Sequence, residues 1–240
     1  MDLSTAHVGA CWQDLEDVLA AGIDRILLYG PPGTGKTYAA LHEGTSGVAE
    51  RLVCTEDLAS GDVTGTWMPA GASAWRFVEG PALRAWRGTD GRGTRLVVDE
   101  VDRASGDALS VLLAMTDSSE SARWRHPATG EWWHPGEAYS VVMTTNLEGL
   151  DELPDALRDR FPVALCIDRP HPAAVERLSE DLRGPALAGS LAEQGRRVSL
   201  RRFYAFDQLR RRHGPERAAS LVFGAERALG VLDALSVSAL

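Results

Sequence analysis

One short segment of this sequence combines the residue types and the spacing that hold a phosphate group. The segment consists of Gly30, Pro31, Pro32, Gly33, Thr34, Gly35, Lys36, Thr37 and Tyr38. It follows an apolar run at residues 26–29, and residues 38–41 have the composition of a first helical turn. Glycine lets backbone N–H groups converge on an anion, and the N-terminus of the following helix attracts the same negative charge. This pattern predicts a triphosphate site, with Lys36 on the β- and γ-phosphates and the Thr37 hydroxyl on Mg²⁺.

Two acidic residues close another apolar run further along the chain. Residues 96–98 are Leu-Val-Val, and Asp99 and Glu100 follow them. Mg²⁺ keeps most of its waters and takes few protein ligands, so Asp99 is expected to hold the ion through its water shell. Glu100 is placed to polarise an attacking water. The alternative is an acidic helix N-terminus stabilised by the helix dipole, but the preceding Gly-Lys-Thr loop favours the metal site.

Asn146 is a third candidate, because it follows the apolar run 141–143 and two threonines. Its amide could orient the lytic water or contact the γ-phosphate. An asparagine in a turn is common, so Asn146 gains its weight from the residues around it.

Arginines at two places could act on the same phosphates. Arg158 and Arg160 end a predicted helix, where arginines usually offset the helix dipole. An arginine exposed at the edge of a nucleotide domain can also enter a neighbouring subunit's site, where it is worth about 10³–10⁵ in rate. Arg160 is the favoured candidate for such an arginine finger, and Arg158 is the second candidate. Arg201 would face the phosphates if the C-terminal region folds over them, and Arg202 competes for that role.

Apolar strands alternating with helices must position these side chains. Five strands are predicted at residues 26–29, 51–54, 95–98, 140–145 and 163–167. Such runs indicate a parallel sheet covered on both faces. Two β-hairpins are predicted at residues 66–78 and 122–133, the second turning at residues 128–130.

A break at residues 170–172, Pro-His-Pro, predicts a domain boundary. We therefore expect an α/β nucleotide-binding domain over residues 1–169 and a helical domain over residues 170–240. Four helices are predicted in the second domain, at about 172–183, 185–195, 199–213 and 215–235.

Composition narrows the class of protein. The chain has 240 residues and a net charge of −9, which disfavours a role on nucleic acid or on an anionic membrane. No apolar run approaches the ~18 residues that cross a bilayer, and the first ten residues do not have the pattern of a signal peptide. Cys11, Cys54 and Cys166 indicate neither a disulfide framework nor a zinc site, and the last two are expected in the core. A reducing, cytoplasmic location is predicted.

The second hairpin carries two histidines and two tryptophans, His126, Trp132, Trp133 and His134. Contact with a partner, the lining of a pore and packing on the protein itself are open alternatives, whereas a metal site lacks further ligands. Residues 210–213, Arg-Arg-Arg-His, indicate a solvated helix end or a contact with nucleic-acid phosphates.

In chain order these elements resemble the AAA+ ATPases, and within them the MoxR-type branch and the related dynein-like AAA modules. The resemblance is carried by residues 30–37, 96–100, 144–146, 159–161 and 199–201. Residues 77–83 are also similar to the segment that follows the extra hairpin of that branch.

The resemblance implies a five-stranded parallel P-loop NTPase core with β-hairpin insertions, followed by a small all-helical lid domain. It further implies a hexameric ring with ATP and Mg²⁺ between subunits, in which hydrolysis remodels a client protein, as a chaperone does, or loads a cofactor into it. Asn146 then matches sensor 1, Arg160 the arginine finger and Arg201 sensor 2.

Two other functions stay open. The chain could be a nucleotide-gated scaffold for assembly, with slow hydrolysis, or a motor subunit in a nucleic-acid-acting restriction or defence complex. The acidic net charge counts against the motor. The phosphate loop does not read the base, so the sequence leaves ATP and GTP open.

Overall fold

The computed structural model describes residues 10–45, 47–192 and 195–238. The chain divides into two compact units. Among the described residues, the larger unit comprises those within Asp14–Gly30 and Lys36–Cys166, and the second comprises those within 10–13, Pro31–Gly35 and 167–238. The predicted domain limits, 1–169 and 170–240, stay a prediction.

Helices and strands alternate along most of the chain. From residue 10 to residue 166 it forms α1 (Ala10–Ala20), β1 (Arg25–Tyr29), α2 (Lys36–His42), β2 (Glu50–Val53), α3 (Ser60–Thr64), β3 (Gly65–Pro69), β4 (Trp75–Glu79), α4 (Pro81–Arg87), β5 (Arg95–Asp99), α5 (Gly106–Met115), β6 (Trp124–Arg125), β7 (Trp132–Trp133), β8 (Ser140–Thr144), α6 (Asp155–Arg160) and β9 (Val163–Cys166). The C-terminal part forms α7 (Pro172–Glu176), α8 (Glu180–Leu191), α9 (Leu200–His213), α10 (Pro215–Phe223) and α11 (Ala225–Ser238). Among the described residues, no helix has the length and apolarity that crossing a membrane requires.

A five-stranded parallel sheet lies at the centre of the larger unit, in the order β2-β5-β8-β1-β9. Leu96, Val97 and Val98 are successive residues of β5, and none has exposed surface. Because successive strand residues point to opposite faces, the sheet is covered on both sides. The five strands, the two hairpins and the helical C-terminal part confirm the predicted fold class.

The strand register determines where the polar residues meet. Leu28 pairs with Thr144, and Val98 pairs with Met143. The carboxyl ends of the adjacent strands β5, β8 and β1 therefore lie side by side. Open α/β sheets bind their ligands at this edge.

Both predicted hairpins are present. β3 pairs with β4 in antiparallel fashion, and β6 pairs with β7 through two residues on each strand. Trp75 on the first hairpin is 64% exposed, whereas Trp86 on α4 is 1% exposed and fills the core. The aromatic residues therefore divide between the core and the surface.

A column of rings joins the two hairpins. Trp67 contacts Phe77 edge-on at 5.7 Å between ring centroids, and Phe77 contacts His126 at 5.1 Å. His126 stacks on Trp133 at 4.2 Å, and the Arg87 guanidinium covers Trp133 at 5.1 Å. We call Trp67, Phe77, His126 and Trp133 the ring column.

In the second unit, helices α7 to α11 pack around their own apolar core, which includes Leu182, Phe203 and Phe223. The predicted break at residues 184–185 is wrong, because Pro185 lies inside α8. The helix begins instead after Ser179, whose backbone N–H and hydroxyl both donate to the Asp207 carboxylate.

The helix predicted over residues 215–235 is two helices. Gly224 separates α10 from α11 with a φ of 86°, a conformation that glycine adopts at no steric cost. The second helix of this domain is predicted to end at residue 195. Residues 193–194 lie outside the described residues, and α8 is described as far as Leu191.

Candidate active site

The loop between β1 and α2 has the backbone that its glycines permit. Gly30, Gly33 and Gly35 have φ values of 121°, 84° and 114°, which side-chain-bearing residues rarely adopt. Gly33 also lies against Ser199 of the same unit, where an added Cβ would come within 2.7 Å of the serine Cβ. Pro31, Pro32 and Thr34 complete the turn, in which the Thr34 hydroxyl donates to the carbonyl of Pro31 at 3.3 Å.

Lys36 lies in the first turn of α2, and the residue is 5% exposed. Its Nζ donates to the Gly30 carbonyl at 2.8 Å and to Asn146 Oδ1 at 3.2 Å. The structure thus brings together two residues that the sequence assigned to phosphate binding and to water orientation. Tyr38, two residues later, is exposed and lies 4.5 Å from the ring of His42.

Asp99 is the most densely contacted carboxylate at the edge of the sheet. Its Oδ1 accepts a hydrogen bond from the Thr37 hydroxyl at 2.9 Å and another from the Thr144 hydroxyl. Its Oδ2 accepts one from Arg51 Nη2 at 2.5 Å. Burial raises the pKa of Asp99, but the hydrogen bonds from Thr144, Arg51 and Thr37 outweigh it and hold this pKa below its ordinary value. Asp99 is therefore an anion at neutral pH.

Glu100 has a left-handed backbone, with φ 57° and ψ 47°, and it is the one non-glycine residue of the described ranges with a positive φ. Such a backbone costs about 1–3 kcal/mol and is typical of functional sites. The carboxylate is partly exposed and forms an ion pair with Arg103 at 2.9 Å. Its backbone N–H donates to the Thr144 hydroxyl at 3.4 Å, so Thr144 touches both candidate acidic residues.

The sequence analysis assigned no individual role to three residues around this edge, namely Arg51, Asp102 and Thr145. The Thr145 hydroxyl donates to Asp102 Oδ1 at 2.6 Å and accepts from the N–H of Leu147. This link fixes the turn that leads from β8 into Asn146. The polar pair Thr144 and Thr145 at a strand end was the signal that could have found it.

Cys54 lies next to the carboxylates and is fully buried, as predicted. Burial, followed by the charges of Asp102, Asp99 and Glu100, raises the pKa of the Cys54 thiol to about 12. The prediction for Cys166 is wrong, because this thiol is exposed at the end of the edge strand β9.

The two finger candidates lie on α6. Arg158 forms ion pairs with Asp155 and, at 3.9 Å, with Asp151. Arg160 Nη1 donates to the Ala156 carbonyl at 2.9 Å, and its Nη2 lies 3.6 Å from Asp117. Both arginines are thus held by acidic or carbonyl groups of the same chain.

The basic residues of the second unit fall into two groups. Arg201 and Arg202 lie in the first turn of α9, and both are exposed. Arg210 forms ion pairs with Asp181 and Asp207, and Arg211 also reaches Asp207 at 3.0 Å. These ion pairs neutralise much of the cluster that sequence analysis considered for nucleic acid.

Three features define a P-loop nucleoside triphosphatase. They are the order of the strands in the sheet, the glycine loop that leads into Lys36, and Asp99 at the end of β5. The chain belongs to the family described as AAA domain (dynein-related subfamily), which it matches over residues 25–161, more than half of its length. It is therefore an ATP-binding AAA+ protein and an ATP hydrolase.

Among solved structures, the chain is similar to a "putative ATPase" from Cytophaga hutchinsonii, with 17% identity and a TM-score of 0.48. The match covers 92% of this chain and 68% of the other. No match was found among curated proteins.

Proposed function

We propose that this ATPase is a MoxR-type AAA+ protein that couples hydrolysis to the remodelling, activation or cofactor loading of a partner protein. The observation that carries the proposal is the exposure of tryptophans on both hairpins, with Trp75 at 64% and Trp132 at 59%. Tryptophan is among the residues that contribute most to the binding energy of protein interfaces. The cytoplasmic location expected from the sequence stays a prediction.

Mg²⁺ fits the oxygen atoms that the site presents. The Thr37 hydroxyl and the Asp99 carboxylate lie 2.9 Å apart and are the hard oxygen groups that this ion prefers. We infer that Thr37 and Asp99 hold the ion. When bound, Mg²⁺ would neutralise part of the negative charge of the nucleotide phosphates.

The remaining site residues act by position and charge. Lys36 holds the phosphates, and Glu100 accepts a proton from the attacking water. Asn146 orients that water with its amide. Glu100 and Asn146 follow the adjacent strands β5 and β8, and Lys36 begins the helix α2, so these groups need little rearrangement when the nucleotide binds.

The proposal also includes a hexameric ring in which each nucleotide lies at a subunit seam. Arg160 of one subunit, or Arg158, would stabilise the charge that develops in its neighbour's site, and Arg201 would act within its own subunit. In support, Arg160 is partly exposed, and its contact with the Asp117 carboxylate is a loose 3.6 Å. Such a weak pair is readily exchanged for a phosphate.

Capture of the partner tests this function. Glu100→Gln should bind ATP without hydrolysing it, and it should retain a specific protein when purified from its native cells with ATP. The same variant with Trp75→Ala and Trp132→Ala should bind ATP equally well and lose that protein. Glu137 is exposed and forms an ion pair with Arg92, so Glu137→Gln is the control substitution. Adding it should change neither ATP binding nor retention of the partner.

The alternatives give different results. A scaffold would assemble with ATP but show no change in turnover when its partner is added. A nucleic-acid motor would bind DNA or RNA with a strong dependence on salt. Either outcome would contradict the proposal.

A further inference from the structure

Arg51 reaches the metal-binding carboxylate from the neighbouring strand. In the parallel pair β2 and β5, Arg51 lies opposite Val97, and Val53 lies opposite Asp99. Arg51 and Asp99 are therefore diagonal neighbours on one face of the sheet, a separation that a long side chain can span. The guanidinium closes this gap with a 2.5 Å ion pair to Asp99 Oδ2.

The two partners differ in their exposure. The side chain of Arg51 is 46% exposed, whereas that of Asp99 is 7% exposed. The arginine can therefore leave for solvent at little cost, but the carboxylate cannot. The buried charge of Asp99 therefore has to be neutralised by whichever cation lies beside it.

The carboxylate has little room for two cations. Its Oδ1 already accepts hydrogen bonds from Thr37 and Thr144, and its Oδ2 is bound by Arg51. A guanidinium and a divalent ion next to the same carboxylate repel each other. The position of Arg51 thus opposes a metal ion at Asp99.

We propose that Arg51 is a positioning residue that holds Asp99 in the metal-free site and must release it before Mg²⁺ and nucleotide bind together. The inference rests on the proposed magnesium site. Arg51 would keep the buried anion neutralised between catalytic cycles. It would also set the concentration of Mg²⁺ at which the site fills.

A neighbouring ion pair provides a matched control. Glu50, one residue before Arg51, points to the other side of the strand and pairs with Arg84 at 2.7 Å. The side chain of Arg84 is 44% exposed, close to the value for Arg51, and Arg84 makes no contact with Asp99. Arg84→Ala therefore removes a comparable surface arginine and leaves the carboxylate pair intact.

The test is a titration of Mg²⁺ against a fluorescent, non-hydrolysable ATP analogue at fixed protein concentration. Arg51→Ala should lower the midpoint for Mg²⁺ about fivefold, the upper end for a half-exposed ion pair, and Arg84→Ala should not change it. Arg51→Lys keeps the charge without the planar guanidinium, so its Mg²⁺ midpoint should lie between those of Arg51→Ala and wild type. Direct binding of Mn²⁺, followed by electron paramagnetic resonance, should shift in the same direction.

A second measurement separates this role from a purely structural one. Without metal, Arg51→Ala should unfold at a lower temperature than wild type, and addition of Mg²⁺ with the analogue should stabilise it by a larger increment. A purely structural arginine would lower both temperatures equally. Arg51→Gln repeats the test if the alanine variant does not fold.

Two results would overturn the inference. An unchanged midpoint would mean that Arg51 does not compete with the ion, and a raised midpoint would mean that Arg51 helps to bind the phosphates. If wild-type protein binds the analogue without any dependence on Mg²⁺, the proposed magnesium site itself fails. These outcomes are distinguishable because wild type is titrated first.

Discussion

The ammonium of Lys36 lies 3.2 Å from the side-chain oxygen of Asn146, and this hydrogen bond joins the loop after β1 to the loop after β8. A lysine ammonium only donates, so the asparagine must present its oxygen to Lys36. The amide NH₂ is then directed elsewhere and can serve a water or a phosphate. Lys36 therefore sets the orientation of the group that we assign to water positioning.

We expect Asn146→Ala to lower turnover about 10²-fold, the usual cost of removing one oriented hydrogen-bond donor. The dissociation constant for ATP should change much less, because Lys36 retains the Gly30 carbonyl as a partner. Steady-state ATPase assays and nucleotide titration provide the two values. Equal losses in both would mean that Asn146 serves binding rather than hydrolysis.

Glu100→Gln should retain ATP binding while its turnover falls at least about 100-fold, since an amide cannot accept the proton of water. Arg103→Ala should have a smaller effect, because it removes only the partner of the carboxylate. Single-turnover kinetics would separate hydrolysis from product release. Near-normal hydrolysis by Glu100→Gln would exclude Glu100 as the general base.

A finger that acts across the subunit seam predicts complementation between two inactive variants. Arg160→Ala should lose about 10³-fold or more in rate but keep an intact phosphate site, whereas Lys36→Ala lacks that site but keeps its finger. Mixed oligomers of the two should regain activity that neither has alone. If mixing restores nothing, and Arg158→Ala behaves in the same way, neither arginine acts in trans.

The thiols should differ in reactivity and in their effect on stability. At about pH 8, Cys166 should react with a thiol reagent in the native protein, whereas Cys54 should react only after unfolding, because its pKa is raised to about 12. The raised pKa favours the neutral thiol in the folded state. Its contribution to stability is therefore complete below pH 9, the ordinary thiol pKa, and is lost as the pH rises toward 12.

Urea unfolding measures the second effect. Between about pH 8 and pH 10, the free energy of unfolding should fall about 1 kcal/mol further in wild type than in Cys54→Ala. Parallel pH profiles for the two proteins would contradict the assigned burial of Cys54.

Trp86→Ala should destabilise the protein by about 3–5 kcal/mol, because the ring is buried and its Nε1 donates to the Met115 carbonyl. Trp75→Ala should change the free energy of unfolding by less than about 0.5 kcal/mol. Chemical denaturation of both variants gives the comparison. A large loss for Trp75→Ala would mean that this side chain supports the fold rather than a partner contact.

Sequence alone could predict the parts of the site that are contiguous. The loop at residues 30–37 and the strand ending in Asp99 carry local patterns, and parallel pairing then places their ends together. The contact of Arg51 with Asp99 could not be predicted, because it depends on a strand register that only the folded sheet defines. The position of Pro185 was misjudged for a similar reason, since Ser179, which precedes α8, is held by the distant carboxylate of Asp207.

The ring column also has a mechanical consequence. Aromatic stacking and edge contacts connect Trp67 to Trp133 through Phe77 and His126, and His126 Nδ1 also accepts the N–H groups of the second hairpin's own turn, at Ala128 and Thr129. A force applied to either hairpin is therefore shared by both. The two hairpins would therefore move together. Removal of the His126 ring would uncouple them without changing the phosphate loop.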